Sequence, residues 1–133
     1  MRIIEDWEIN ISVLWLFKVV TDLVSGMVAL MEPGLIDMIR AGELYGEVLG
    51  PEVLFFLAVV LLVPLVMAFL TLTLKDKANS WANIIVGIVF AGFGLLNFAD
   101  PAMHTAHGIL MSIALFIAPV LIVWYAWKSK QKA

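Results

Sequence analysis

The chain has 133 residues, of which 63% are hydrophobic, and a mean hydropathy of +1.04. That is more apolar surface than a soluble domain of this length needs, so we expect one integral membrane domain in the lipid bilayer. There is no cysteine, which excludes disulfides and thiolate metal sites. The net charge of −3, with basic residues concentrated only at the very end, argues against nucleic acid as a partner.

The first predicted span, residues 10–31, contains two charges, Lys18 and Asp22. An ionisable group near the bilayer centre costs roughly 2.5–3.5 kcal/mol on insertion scales, so such groups usually face the bundle interior and find a partner. Lys18 and Asp22 are four residues apart and therefore share a helix face, which Ser25 continues. Two interpretations stay open: a pair that neutralises itself, or an Asp22 that exchanges protons or binds a cation.

Two helix breakers and a charge, Glu32-Pro33-Gly34, end the first span. Residues 35–43 then alternate apolar side chains with Asp37 and Arg40 at helical spacing, which predicts a short amphipathic helix in the membrane interface. Residues 44–51 contain two glycines and a proline and are predicted to form a loop.

The second and third spans are predicted over residues 52–74 and 80–98. Polar and small residues recur at three- and four-residue steps on one face of the third span: Asn83, Gly87, Ala91, Gly94 and Asn97. Small residues at this spacing allow another helix to approach closely, so we interpret this face as a helix-packing seam. Its two asparagines are expected to hydrogen-bond across the seam or to line a solute path. We expect Asp22 to face this span, where Asn83, Gly87 and Asn97 allow close approach and offer polar partners.

The fourth span is predicted over residues 101–127 and is preceded by Asp100. With His104 and His107, this aspartate forms a D-x3-H-x2-H pattern, whose imidazole and carboxylate groups suit divalent ions such as Zn²⁺. Three ligands spread over roughly 10 Å of helix rise are too far apart for one ion. His104 and His107 together with a glutamate of the outer loop fit a metal site better. Otherwise His104 is an interfacial polar residue, and His107 hydrogen-bonds to a neighbouring helix. We predict no cofactor.

Positive charge is distributed unevenly between the two sides of the membrane that four spans would create. Only Arg40 falls on the side opposite the termini. The other side holds Arg2, Lys75, Lys77, Lys128, Lys130 and Lys132. The positive-inside rule therefore predicts a protein of the cell (inner) membrane with both termini in the cytoplasm.

Four runs in the chain, NISVLWLFKVVTD, MEPG, SWANIIVGI and LIVWYAWK, resemble an uncharacterised family of small four-span prokaryotic membrane proteins. That family is broadly similar to DoxX-like bundles, and the resemblance covers nearly the whole chain. It implies a fold and no established activity. The acidic residue that the family carries in its first span corresponds here to Asp22, whereas Lys18 is not a fixed part of the pattern.

We expect an all-α, four-helix transmembrane bundle with one short amphipathic interfacial helix after the first span. The first functional hypothesis is a transporter- or channel-like protein, in one subunit or as a homo-oligomer, that moves a proton, cation or small solute past Asp22. The second is a membrane assembly or accessory subunit that uses the small-residue seam to dock. An enzyme ranks third, because no nucleophile-and-base set is present.

Overall fold

The computed structural model describes residues 5–44, 47–100 and 104–132. The described residues form five helices: α1 (Asp6–Leu30), α2 (Leu35–Arg40), α3 (Pro51–Thr73), α4 (Asp76–Ala99) and α5 (Ala106–Lys132). Between α2 and α3 lie two short strands, β1 (Glu43–Leu44) and β2 (Glu47–Val48), which pair antiparallel.

The four long helices, α1, α3, α4 and α5, are each long and apolar enough to cross a membrane. A helix satisfies its own backbone hydrogen bonds, which is why such segments are stable in lipid where water is absent. The predicted all-α bundle with one short extra helix is confirmed, and the chain has the build of a multi-pass membrane protein.

The ends of three helices differ from the sequence prediction. α1 begins at Asp6 rather than at residue 10, and α4 begins at Asp76 rather than at residue 80. α5 begins at Ala106 rather than at 101, because the Thr105 hydroxyl caps it by accepting a hydrogen bond from the Gly108 amide at 3.1 Å. Residues 101–103 themselves lie outside the described residues.

The connection between α1 and α3 is more regular than predicted. The interfacial helix spans Leu35–Arg40 instead of 35–43, and it is flanked by Gly34 and Gly42 at φ of 86° and 80°, a conformation that favours glycine. Within the predicted loop 44–51, the chain forms the second strand of the β-hairpin.

The bundle has two distinct ends, which side-chain contacts between helices define. At the hairpin end, where α1 and α4 finish, the His107 imidazole donates a hydrogen bond to the Glu32 carboxylate at 2.6 Å. At the terminal end, where α1 begins, Ser12 Oγ donates to the Ala68 carbonyl at 2.8 Å, and Ser80 and Ser129 lie 3.0 Å apart. Consecutive long helices therefore run antiparallel.

The four long helices do not pack equally closely against one another. α1 packs against α3 and α5, and α4 packs against α5, whereas α3 and α4 touch each other only sparsely. α3 is also the most apolar and the least buried of the four long helices. The bundle is consequently loosest along the gap between α3 and α4.

The small-residue seam of α4 faces α5 of the same chain. A Cβ atom added to Gly87 would lie 2.7 Å from Val123 Cγ2, and one added to Gly94 would lie 3.1 Å from Phe116 Cα. These distances leave no room for a side chain, so the glycines allow close helix contact. The seam is thus used inside the subunit, with Ala91 half-buried between the two glycines.

Candidate functional site

The charge pair of the first span lies at the middle of the bundle. Lys18 is the central residue of α1, and its Nζ donates a hydrogen bond to Asp22 Oδ2 at 2.8 Å. The two side chains are 5% and 16% exposed, so both charges are largely removed from the surface. Their i, i+4 spacing on one helix holds them together without help from another element.

The ammonium group of Lys18 has a second neighbour on α4. Its Nζ lies 4.4 Å from the centroid of the Phe90 ring, within the range of a cation–π interaction. Carboxylate and aromatic face together stabilise a charge that would otherwise be costly at this depth. The lysine is thereby fixed toward the bundle interior and away from the interface.

A cavity of about 360 Å³ lies beside this pair. Its polar lining comes from Lys18, Asp22 and Asn97. The rest of the lining is mostly apolar: Phe56, Val60, Phe90, Phe93, Gly94, Leu96 and Leu115. A few convergent polar groups in an otherwise apolar cleft of this size are typical of a small-molecule site.

The cavity occupies the hairpin half of the bundle, and part of its rim lies at the gap between α3 and α4. Phe56 and Phe93 bridge this gap with ring centroids 6.2 Å apart in an edge-to-face contact. Phe56 is 53% exposed and Leu96 is 65% exposed, so the rim of the cavity reaches the lateral surface of the bundle. The cavity extends to Asn97, which lies two residues before the end of α4. It therefore reaches to within one helical turn of the hairpin end.

A buried network of hydrogen-bonded side chains fills the interior of the bundle in its terminal half. The Trp15 indole donates to Asn83 Oδ1 at 2.7 Å, and Thr71 Oγ1 lies 3.2 Å from the same oxygen. The Asn83 amide donates to Asn79 Oδ1 at 2.8 Å, and Asn79 in turn donates to the Thr71 carbonyl at 2.7 Å. All four side chains are fully buried. We call these four residues the seal.

A row of aromatic rings connects the seal to the rim of the cavity. Trp15 and Phe90 are in edge-to-face contact at 5.8 Å, and Phe90 and Phe93 at 5.9 Å. Phe93 continues to Phe56 across the α3–α4 gap. Edge-to-face pairs have preferred geometries, so this row forms a defined wall along one side of the cavity.

The structure brings together only some of the residues that the sequence singled out. Asp22 was expected to face Asn83, Gly87 and Asn97 of the third span. Asn97 lines the cavity beside Asp22. Asn83 belongs to the seal, about 21 Å from Asn97 along the axis of α4. Gly87 packs on α5. Ser25 is half-buried and is not among the described residues that line the cavity.

The seal and the cavity include residues that the sequence did not single out: Asn79 in the seal, and Phe56 and Phe93 in the cavity. The i, i+4 spacing of Asn79 and Asn83 was a readable signal for the seal, because it places both amides on one face. Phe56 and Phe93 gave no such signal, since phenylalanine in a span is equally suited to face lipid.

The two histidines have separate partners. His104 donates from Nε2 to the Phe98 carbonyl at 2.8 Å, and His107 pairs with Glu32. Among the described residues, no group of three or more His, Asp or Glu side chains is placed to hold a metal ion. The predicted metal site at His104, His107 and Asp100 therefore gains no support from the described geometry.

Comparison with known proteins supports a family assignment. No curated protein and no solved structure matches the chain. The broader similarity to DoxX-like bundles is not shown by these comparisons. The whole chain, residues 1–133, matches a family described as "Family of unknown function (DUF6326)", and four of its helices are long and apolar enough to span a membrane. The protein belongs to the DUF6326 family.

Proposed function

We propose that this protein moves a small solute across the membrane, and that the solute binds in the cavity beside Lys18 and Asp22. The observation that carries the proposal is a cavity of about 360 Å³ that reaches a charge pair at the centre of α1. A charge pair at this depth is expensive, and ionisable residues inside spans commonly mark solute pathways.

The asymmetry of the bundle supports transport over simple binding. The hairpin half is open beside the pair, whereas the seal fills the terminal half with buried, hydrogen-bonded side chains. A transporter needs one side open while the other is closed, and alternation between two such states moves the solute. Opening the second side would require the hydrogen bond between Trp15 and Asn83 to break.

A small molecule suits this cavity better than a bare cation. Metal cations such as Ca²⁺ require six or more oxygen ligands. The described lining residues offer one carboxylate and one amide, and the Lys18 ammonium lies beside the carboxylate and repels a cation. A proton route through Asp22 would have to break the same ion pair. Of the three alternatives, a proton, a cation or a small solute, we therefore favour the small solute.

The assembly hypothesis required the small-residue seam to be available to a partner protein. Gly87 and Gly94 already pack on α5 of the same chain, so the seam is not available. One subunit contains the whole cavity, so the proposal does not require a homo-oligomer. For orientation we propose cytoplasmic termini, since the lysines flanking the α3–α4 turn and ending α5 lie at the terminal end.

Sided thiol labelling in proteoliposomes tests this proposal. The chain has no cysteine, so Val60→Cys introduces a single thiol in the cavity. Val59→Cys is the matched control, because Val59 is the neighbouring residue of α3, is 38% exposed and does not line the cavity. A water-soluble maleimide that cannot cross the bilayer, added on the side of the hairpin end, should modify Val60→Cys faster than Val59→Cys, because Asn97 brings the cavity to within one turn of that end.

Adding Trp15→Phe removes the indole N–H from the seal while keeping an aromatic ring. Transport predicts that this second change allows Val60→Cys to react from the terminal end as well. Equal reactivity of Val59→Cys and Val60→Cys would argue against an accessible cavity. A thiol that is never reached from the terminal end would contradict transport and leave a closed-ended binding pocket.

A further inference from the structure

We infer that the solute is an uncharged amphiphile, with an apolar body and one hydrogen-bonding head, that reaches the cavity from the bilayer between α3 and α4. This inference rests on the proposed function and specifies the chemical class of its solute. Three features of the cavity carry it: the balance of its charges, the nature of its lining and the position of its opening.

Among the described residues that line the cavity, the charges sum to zero. Lys18 and Asp22 are paired at 2.8 Å and little exposed, so neither presents an uncompensated charge to a ligand. A ligand with a net charge would leave one charge unbalanced in a low-dielectric site, which is strongly unfavourable. A neutral head that both donates and accepts hydrogen bonds, such as a hydroxyl, can instead contact the carboxylate and the ammonium group together.

The remaining lining favours an apolar body. Three phenylalanines, Phe56, Phe90 and Phe93, form one wall, and Val60 and Leu115 add aliphatic surface. The half-buried Asn97 adds a neutral polar group near the hairpin end. The volume of about 360 Å³ lies at the lower end of the range for ligand sites, which limits the solute to a small molecule.

The part of the cavity rim between α3 and α4 faces lipid. α3 and α4 make few contacts with each other, and the described rim residues at their gap are the exposed apolar side chains Phe56 and Leu96. In a bundle whose sides face the bilayer, a gap between two helices at this depth is bordered by hydrocarbon. A lipid-soluble molecule can therefore reach the charge pair without crossing the hairpin end.

Photolabelling with matched eight-carbon compounds tests the class of solute. The protein in lipid vesicles is labelled with an octanol that carries a diazirine, and the modified residues are located by mass spectrometry. Competitors are octanol, octanoate, octylammonium and octane at equal concentration in the membrane. We expect cavity residues to be labelled, and octanol to compete about fivefold better than the other three, as one additional net hydrogen bond would give.

A second arm tests the route. Phe56→Trp places a larger ring at the side opening, whereas Phe55→Trp makes the same change at a neighbouring residue that is 72% exposed and outside the cavity. With unchanged helical content, Phe56→Trp should slow cavity labelling several-fold and Phe55→Trp should not. Equal labelling rates in the two variants would contradict access from the bilayer and overturn the inference.

The failures of the two proposals are distinguishable. If octanoate or octylammonium is the strongest competitor, the inferred class is wrong, while a solute site in the cavity stands. If the diazirine-bearing octanol does not label cavity residues, the inference is overturned. Sided labelling of Val60→Cys uses none of these compounds and judges the proposed transport separately.

Discussion

The two halves of the bundle hold polar side chains inside a membrane protein in opposite ways. In the terminal half, Asn83 accepts from Trp15 and donates to Asn79, and the whole seal is fully buried. In the hairpin half, Lys18, which has three N–H donors, places one on Asp22 and borders a cavity. In the terminal half the polar side chains satisfy one another, whereas in the hairpin half the proposed function assigns the remaining hydrogen-bonding capacity to a ligand.

Lys18→Met should have the largest effect on the free energy of unfolding. It leaves Asp22 largely buried without its ion-pair partner, and breaking a buried pair in this way costs about 4 kcal/mol. The double variant Lys18→Met/Asp22→Leu should recover most of the loss, because no charge is then left in the bundle. Reversible unfolding in bicelles measures both. A double variant no more stable than Lys18→Met would show that the pair is not the source of the cost.

The same substitution at two positions of α4 compares the halves directly. Asn83→Leu should destabilise the fold by about 2 kcal/mol, since Trp15, Thr71 and Asn79 all lose a buried hydrogen-bond partner. Asn97→Leu, at the half-buried cavity mouth, should cost less than about 1 kcal/mol. Equal losses in bicelle unfolding would remove the distinction between seal and cavity.

Two glycines of α4 make a matched test of the α4–α5 seam. In Gly94→Ala the new Cβ would meet the backbone of Phe116 at 3.1 Å, so we expect a loss of about 1–2 kcal/mol from overpacking. Gly92 has nothing within 4 Å of an added Cβ, so Gly92→Ala should be neutral or stabilise the helix by up to about 1 kcal/mol. The order of the two midpoints in thermal unfolding checks this, and the reverse order would contradict the packing.

The smallest effect is expected at the hairpin end. His107→Gln removes the imidazole that pairs with Glu32, but the two side chains are 40% and 27% exposed. Partly exposed pairs contribute little, so the loss in free energy of unfolding should stay below about 1 kcal/mol. A loss as large as that of Asn83→Leu would mean that this contact holds the hairpin end together.

Much of the fold was predictable because lipid imposes simple rules. The length and polarity of α1, α3 and α4 follow from the thickness of the bilayer, and the spacing of Gly87 and Gly94 indicated close helix packing. The start of α5 was less predictable. Proline is common in the first turn of a helix, so Pro101 indicated a start at residue 101. The observed cap at Thr105 depends on a local hydrogen bond.

The site was predictable only where polarity made it visible. Lys18 and Asp22 stand out in an apolar span, and their pairing follows from their spacing. The cavity did not stand out, because it depends on how far α3 lies from α4, and its phenylalanines resemble lipid-facing ones. Glu8 illustrates the same limit: it precedes the predicted first span, residues 10–31, yet it lies fully buried in the first turn of α1.

The most direct test of the central claim is solid-state NMR of the charge pair in lipid bilayers, with ¹⁵Nζ-lysine and ¹³Cγ-aspartate. We expect a dipolar coupling between Lys18 and Asp22, as their 2.8 Å contact requires, which is lost in Asp22→Asn. We also expect that octanol shifts the Lys18 resonance while octane does not. No coupling, or a resonance that octanol leaves unchanged, would contradict a ligand site at this pair.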